Sequence, residues 1–215
     1  MKIGGEYHAD GYARIEGLIT PAVARELLSL VKASLDEVSL SANDHMRDAP
    51  VLRRPTLAAY GPHYRALTGF HWGLTPTMAA LTNCELVPTN SYFRVYQEGD
   101  VCLVHSDREA CEHSLSLTLG YSDGKLWALD IAHRRLQGVE PTATDFGGEA
   151  YTPLSMNVGD AVLYQGVRYR HGRVIPNPNR WSAHLFLHWV DANGLYSGEA
   201  FARAPNREPV DFTLS

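Results

Sequence analysis

Little in this chain would serve a disulfide-stapled, membrane-spanning or nucleic-acid-tracking protein. Cysteine is scarce: Cys84, Cys102 and Cys111 are odd in number and show no CxxC or CxxH spacing. That excludes a disulfide framework and a zinc knuckle, and it suits a reducing, cytoplasmic compartment. Nowhere do about 18 consecutive apolar residues occur, as a membrane helix requires. The opening run Met1-Lys2-Ile3-Gly4-Gly5-Glu6 has no apolar core of signal-peptide length, so neither a membrane nor export is expected. Lysine and arginine form no run, and the formal net charge is -5. A phosphate backbone finds no continuous basic track here, which disfavours nucleic acid as a partner. Internal repeats and low-complexity tracts are also missing, which excludes a solenoid.

What remains is an ordinary globular composition, 45% hydrophobic and 20% charged over 215 residues. Such a chain can bury a sizeable core, and its length suits one β-rich domain over residues 1–215. Tyr12-Ala13-Arg14-Ile15 reads as a strand, and Thr20-Pro21 is a helix start, with a capping hydroxyl followed by proline at the first helical position. Val23, Leu27, Leu28, Val31, Leu35 and Val38 then recur every three or four residues, one apolar stripe of an amphipathic helix. From Ser39 to about Arg65 the periodicity fades, and a loop or lid carrying Asp44, His45, Arg47, Arg53 and Arg54 is expected. Thr75-Pro76 repeats the start signal for a second, short helix anchored by Met78 and Leu81.

Beyond Pro88 the pattern turns to strands. Tyr92 to Tyr96 is aromatic and β-branched, Gly99-Asp100 marks a turn, and Val101 to Val104 leads straight into His105. Ser114 to Leu119 alternates at period two, polar on one face and leucine on the other. Further strands are expected at Leu126–Ile131, Ala150–Met156, Ala161–Tyr164, His171–Ile175 and Trp181–Val190, with glycine and proline turns between them. Helical support over about 18–82, a strand-rich core over about 90–190 and a tail over 191–215 argue for a β-sandwich or barrel braced by helices.

His105-Ser106-Asp107 is the motif with most chemical content. With His171 it offers two imidazoles and a carboxylate to one metal ion, a donor set that suits ferrous iron and leaves positions for a chelating co-substrate and O2. The spacing alone is cheap, since ten histidines among 24 acids yield about one accidental His-x-acid match. His8-Ala9-Asp10 is such a decoy, at a terminus expected to fray, whereas an apolar strand delivers His105. Among His113, His133, His171, His184 and His188, His171 opens a strand far enough from Asp107 to return across a barrel. The competing reading of His171 is a hydrogen-bonded core histidine. Arg180 follows one hairpin later, and its guanidinium would grip a carboxylate bidentately. Ser182 shares its strand face, Arg173 is the rival cation on the face of His171, and a side chain so close to the metal risks crowding it. The Tyr96 phenol and the hydroxyls of Thr118 and Ser116 are further candidates, each with a core or surface role as the alternative.

These residues resemble the iron(II)/2-oxoglutarate-dependent dioxygenase superfamily, most nearly its prolyl-hydroxylase-like branch. The match is carried by Arg94-Val95-Tyr96-Gln97-Glu98-Gly99-Asp100 through His105-Ser106-Asp107, by Gly147-Gly148-Glu149 and Val158 to Tyr164, and by His171 with Arg180-Trp181-Ser182. It spans roughly Ser91 to Val190, with a weaker echo from Asp10-Gly11-Tyr12 through the first helix. The resemblance implies a mostly β fold, a double-stranded β-helix or cupin-like jelly roll. It also implies iron(II) on His105, Asp107 and His171, 2-oxoglutarate as co-substrate held by Arg180 with help from Tyr96 and Ser182, and O2 as oxidant. Thr118 stands where many relatives carry a tyrosine, and its contact with the co-substrate is open.

The implied activity is hydroxylation of a C–H bond in a small molecule or peptidyl side chain. Because Asp107 supplies a carboxylate, no position is left for a halide. Two other classes stay open: a non-catalytic jelly-roll module binding a small acid or carbohydrate around a structural metal, and a cupin-like enzyme without 2-oxoglutarate. Arg53, Arg54, Arg134, Arg135, Arg168 and Arg170 would favour an anionic substrate if they met at the mouth, but scattered arginines are commonly solvated surface.

Overall fold

Alternation at period two organises the core. On β7 (His113–Tyr121) the leucines Leu115, Leu117 and Leu119 point one way, and on β12 (Trp181–Asp191) Ala183, Leu185, Leu187 and Trp189 do the same. Each is almost wholly buried, and such burial of one leucine side chain contributes roughly 1.5–3 kcal/mol. The polar alternates are buried as well: Ser114, Ser116, Thr118, Ser182, His184 and His188 lie on the opposite, inward face. A polar row without access to water must find partners inside the protein, and here it lines the interior of a barrel.

The computed structural model describes residues 1–37, 45–61 and 64–202. Among these described residues, twelve strands form two antiparallel sheets. The larger has the order β1 (Lys2–Gly4), β2 (Tyr12–Glu16), β10 (Ala161–Tyr164), β7, β12, β5 (Leu86–Gln97), β4 (Thr56–Tyr60), β3 (Met46–Arg47). The smaller runs β6 (Cys102–His105), β11 (Tyr169–Arg173), β8 (Leu129–Arg135), β9 (Tyr151–Leu154). Between the sheets, Leu129, Ile131, Leu154 and Met156 meet Val162 and Tyr164, while Tyr96, Cys102, Trp127 and Phe186 close a second patch. This is a double-stranded β-helix, as expected from the motifs.

Helices brace the outer face of the larger sheet. After α1 (Tyr7–Asp10), α2 (Pro21–Glu37) begins where Thr20 and Pro21 direct, the Thr20 hydroxyl accepting from the Val23 amide at 3.3 Å. Ala24, Leu27 and Val31 carry its stripe into the core, but Val23 is 47% exposed. Val38 and Asp44 lie outside the described residues.

Three expectations change. The second helix does not start at Thr75; α3 (Arg65–Thr82) runs through Pro76. Proline removes the bond to the Trp72 carbonyl, and tertiary anchors hold the two halves together. The Trp189 indole donates to Thr75 Oγ1 at 2.9 Å, and His71 Nε2 bonds the His188 carbonyl at 2.9 Å. The stretch before Arg65 is not all loop, since β4 pairs with β5 along Leu57↔Val95 to Tyr60↔Tyr92. Finally, the His8-Ala9-Asp10 segment is pinned. Gly11 adopts φ 80 beneath the Tyr169 ring, and Tyr7 Oη lies 2.6 Å from His113 Nδ1.

Burial drives the pKa of His71 down to about 3 and that of His113 down to about 4. Both are therefore neutral in the fold and titrate near 6.5 when unfolded. Their stabilising contribution is complete above pH 6.5 and is lost as pH falls toward 4 for His113 and toward 3 for His71, because the unfolded chain then binds the extra protons. Denaturant unfolding should show stability decreasing across this window, with a shallower pH slope in His71→Gln.

Candidate metal centre

The strand register brings the two histidines together. His171 on β11 lies directly opposite His105 on β6, and their rings stand 4.4 Å apart. Each imidazole is fixed by a backbone carbonyl two residues earlier: His105 Nδ1 is 2.7 Å from the Leu103 oxygen and His171 Nδ1 is 3.0 Å from the Tyr169 oxygen. A carbonyl can only accept, so Nδ1 carries the proton and both Nε2 lone pairs face the same point.

Asp107 completes the arrangement. Its Oδ1 lies 3.6 Å from His105 Nε2 and 3.5 Å from His171 Nε2, and one ligand atom from each residue falls within 4.8 Å of the others. The backbone amide of Asp107 donates to the Gly166 carbonyl at 2.9 Å, and the Ser114 hydroxyl donates to Oδ2 at 2.9 Å. Gly166 is required by this closeness: a Cβ there would collide with Asp107 Oδ2 and stand 2.7 Å from Ser114 Oγ. Burial works against the charge of Asp107, but the two imidazoles outweigh it and hold the carboxyl well below its usual range. For His105 burial dominates, with His171 adding to it, and lowers the pKa. At His171 burial is overcome by Asp107, which raises the pKa. Two imidazole nitrogens and a carboxylate converging on one point fit a divalent transition metal.

The triad borders an inner chamber that it shares with Tyr92, Arg94, Tyr96 and Arg173. Arg94 and Arg173 are only 5% and 1% exposed, yet neither forms an ion pair with a described carboxylate. Arg94 stacks over Tyr92 at 4.9 Å, donates to Tyr96 Oη at 3.3 Å, and leaves its buried Nε without a partner. Arg173 lies 4.6 Å over the Trp127 ring, donates to the Trp127 carbonyl at 2.6 Å and reaches Ser116 Oγ at 3.4 Å. Burial raises the Tyr96 phenol to about 12, so it stays protonated.

Other expected residues sit elsewhere. Arg180 does not reach the chamber: its side chain is 74% exposed, and its amide and Nε both bind Asp123, at 2.8 and 3.3 Å. It precedes the first residue of β12, so strand alternation does not direct it inward, and Asp123 holds it at the edge. Ser182 is spent on Asn177 Oδ1 at 2.7 Å, locking the turn before β12. Thr118 is buried against His184 Nδ1 at 3.3 Å, away from the chamber lining. His105, Asp107, His171 and Tyr96 do come together.

Arg94, Tyr92, Ser114 and Gly166 were not singled out for the site from the sequence. Period two on β5 placed Tyr92, Arg94 and Tyr96 on one face, and an arginine between two tyrosines was the available signal. Arg173 carried the same signal beside His171, but its side chain leans along the strand to Trp127 and does not crowd the triad.

Replacing Asp107 or His171 by alanine should abolish binding of a divalent transition metal, measured by calorimetry on protein whose circular dichroism is unchanged. Gly166→Ala, which displaces Asp107 without removing a ligand, should weaken it by roughly 10- to 100-fold.

No protein-family model matches the chain, and no curated protein matches it. Solved structures do. The non-heme alpha-ketoglutarate-dependent carbocyclase SnoK from nogalamycin biosynthesis superposes with a TM-score of 0.67 at 11% identity, covering 87% of this chain and 82% of that one. A Pseudomonas putida prolyl-4-hydroxylase gives 0.59 at 12% identity over 86% and 95% of the two chains. HygX from Streptomyces hygroscopicus, solved with nickel and 2-oxoglutarate bound, gives 0.63 at 10% identity over 87% and 85%. The chain thus shares the double-stranded β-helix of the 2-oxoglutarate-dependent oxygenases.

Proposed function

We propose that the protein is an iron(II)- and 2-oxoglutarate-dependent dioxygenase that hydroxylates a C–H bond of a small molecule or an amino-acid side chain. The observation that carries this reading is the pair of buried, acid-free guanidinium groups of Arg94 and Arg173 beside a two-histidine, one-carboxylate triad. Buried charges are ordinarily paired. A dicarboxylate supplies both the missing countercharge and a chelating end for the metal, and similar folds bind 2-oxoglutarate.

His105, Asp107 and His171 would hold iron(II) on one face. With both bound, iron and 2-oxoglutarate couple the reduction of O2 to decarboxylation of the keto acid, giving succinate, CO2 and oxidation of a substrate C–H bond. The chain's own residues do the rest. The carbonyls of Leu103 and Tyr169 keep the imidazoles in the ligating tautomer, and Ser114 orients the carboxylate. Arg94 donates through its partnerless Nε, and the protonated Tyr96 phenol adds a donor. Trp127 and Phe186 help keep the chamber dry, which strengthens each of these contacts. Because Asp107 occupies the third ligand position, a halide finds none, and this favours hydroxylation over halogenation.

Purified protein with iron(II) should release succinate from 2-oxoglutarate only when O2 is present, and an accepted substrate should stimulate the release. Absence of O2-dependent turnover with every substrate in a panel of free amino acids and small acids would favour the non-catalytic binding module. Arg94→Met and Arg173→Met should each raise the KM for 2-oxoglutarate by about tenfold or more, the scale of losing one partner of a buried charge pair. Arg180→Ala should leave it unchanged.

A further inference from the structure

We infer that the substrate is an organic anion with an apolar body, its carboxylate or phosphate held by Arg108, Arg135 and Arg168 in the outer cleft beside the metal triad. This rests on the oxygenase reading and adds the substrate class to it. The cleft has a volume of about 910 Å³, and Asp107 lines both it and the inner chamber. A molecule seated there would abut the metal-ligating carboxylate.

The arginines of this region divide into two sets. Arg134 is spent on Glu140 at 2.8 Å and Glu149 at 3.2 Å, and Arg170 lies 3.5 Å from Glu149 and 3.6 Å from Glu140. Arg54 is bound to Asp100, and Arg53 lines neither cleft nor chamber. Arg108, Arg135 and Arg168 all line the cleft, and none forms an ion pair with a described carboxylate. Two of the six arginines noted in the sequence, Arg135 and Arg168, thus line one cleft, together with Arg108.

No acid lining the cleft forms an ion pair with these arginines, while Glu112, on an adjoining cavity that Arg135 and Arg168 also line, attracts Arg168. Asp107 belongs to the metal triad, Glu199 is only 9% exposed and already engaged, and Glu109 pairs with none of the three cations. Three guanidinium groups around one cavity select an anion and raise its local concentration. The apolar part of the inference comes from Val139 and Leu195, 92% and 82% exposed, which line the same cleft. Lone exposed apolar side chains are ordinary, but two flanking a cationic cleft provide a surface for the uncharged body of the ligand.

The test uses the full chain, titrated by calorimetry with iron(II) under anaerobic conditions, with and without 2-oxoglutarate. The probes are octanoate, octyl phosphate, octanol and octyltrimethylammonium. At least one anion should bind about tenfold or more tightly than octanol, the tetraalkylammonium should not bind, and Arg135→Gln/Arg168→Gln should weaken the anion by about tenfold or more. The stronger of the two anions identifies carboxylate or phosphate as the recognised group. Equal binding of octanol, no binding of either anion, or an unchanged anion affinity in the double variant would overturn the inference. Titration with 2-oxoglutarate itself separates the two levels: its failure to bind the metal-loaded wild type defeats the oxygenase reading, whereas normal 2-oxoglutarate binding without anion binding defeats the cleft assignment alone.

Discussion

The cross-strand pairing of His105 with His171 is the constraint on which the site depends. Antiparallel register sets the two rings side by side, and the carbonyls of Leu103 and Tyr169 turn both Nε2 atoms to one point. A one-residue slip would send one ring to the other face of the sheet and leave a single imidazole. The glycine at position 166 and the serine at 114 then bring the carboxylate into place, so it comes from a loop pinned to the Gly166 carbonyl and the Ser114 hydroxyl.

Electrostatics follow from that geometry. The barrel interior holds buried histidines, and burial holds His184 well below and His188 down to about 4, so both remain neutral. Against this neutral lining, the buried Arg94 and Arg173 form no ion pair with a described carboxylate, and they stand beside the candidate metal triad. Outside, the same economy recurs. Glutamates neutralise Arg134 and Arg170, while the arginines lining the cleft form no ion pair with a described carboxylate. Asp107 lies where chamber and cleft adjoin, so one carboxylate borders both.

Much of the framework was legible in the chain. Period-two alternation at Ser114 to Leu119 located β7 and its two faces, and Thr20-Pro21 located the start of α2, because local sterics and capping act on neighbouring residues alone. The same local signal misled at Thr75-Pro76. There the Trp189 indole and the His188 carbonyl, more than a hundred residues distant, hold a helix through its proline. Strand β4 escaped for a similar reason, since it exists by pairing with β5 and β3.

For the site, residue types and spacing determined that His105, Asp107 and His171 were worth bringing together, since an apolar strand running into a His-x-Asp leaves few other uses for those donors. Tertiary structure decided which cation serves the chamber. Arg180 had the expected spacing, but spacing along the chain does not say where a side chain points once a turn intervenes. Asp123 holds it outside, whereas strand alternation beside Tyr92 and Tyr96 carries Arg94 inward. Whether a charge is solvated or stranded depends on contacts remote in sequence, and only the closed barrel contains them.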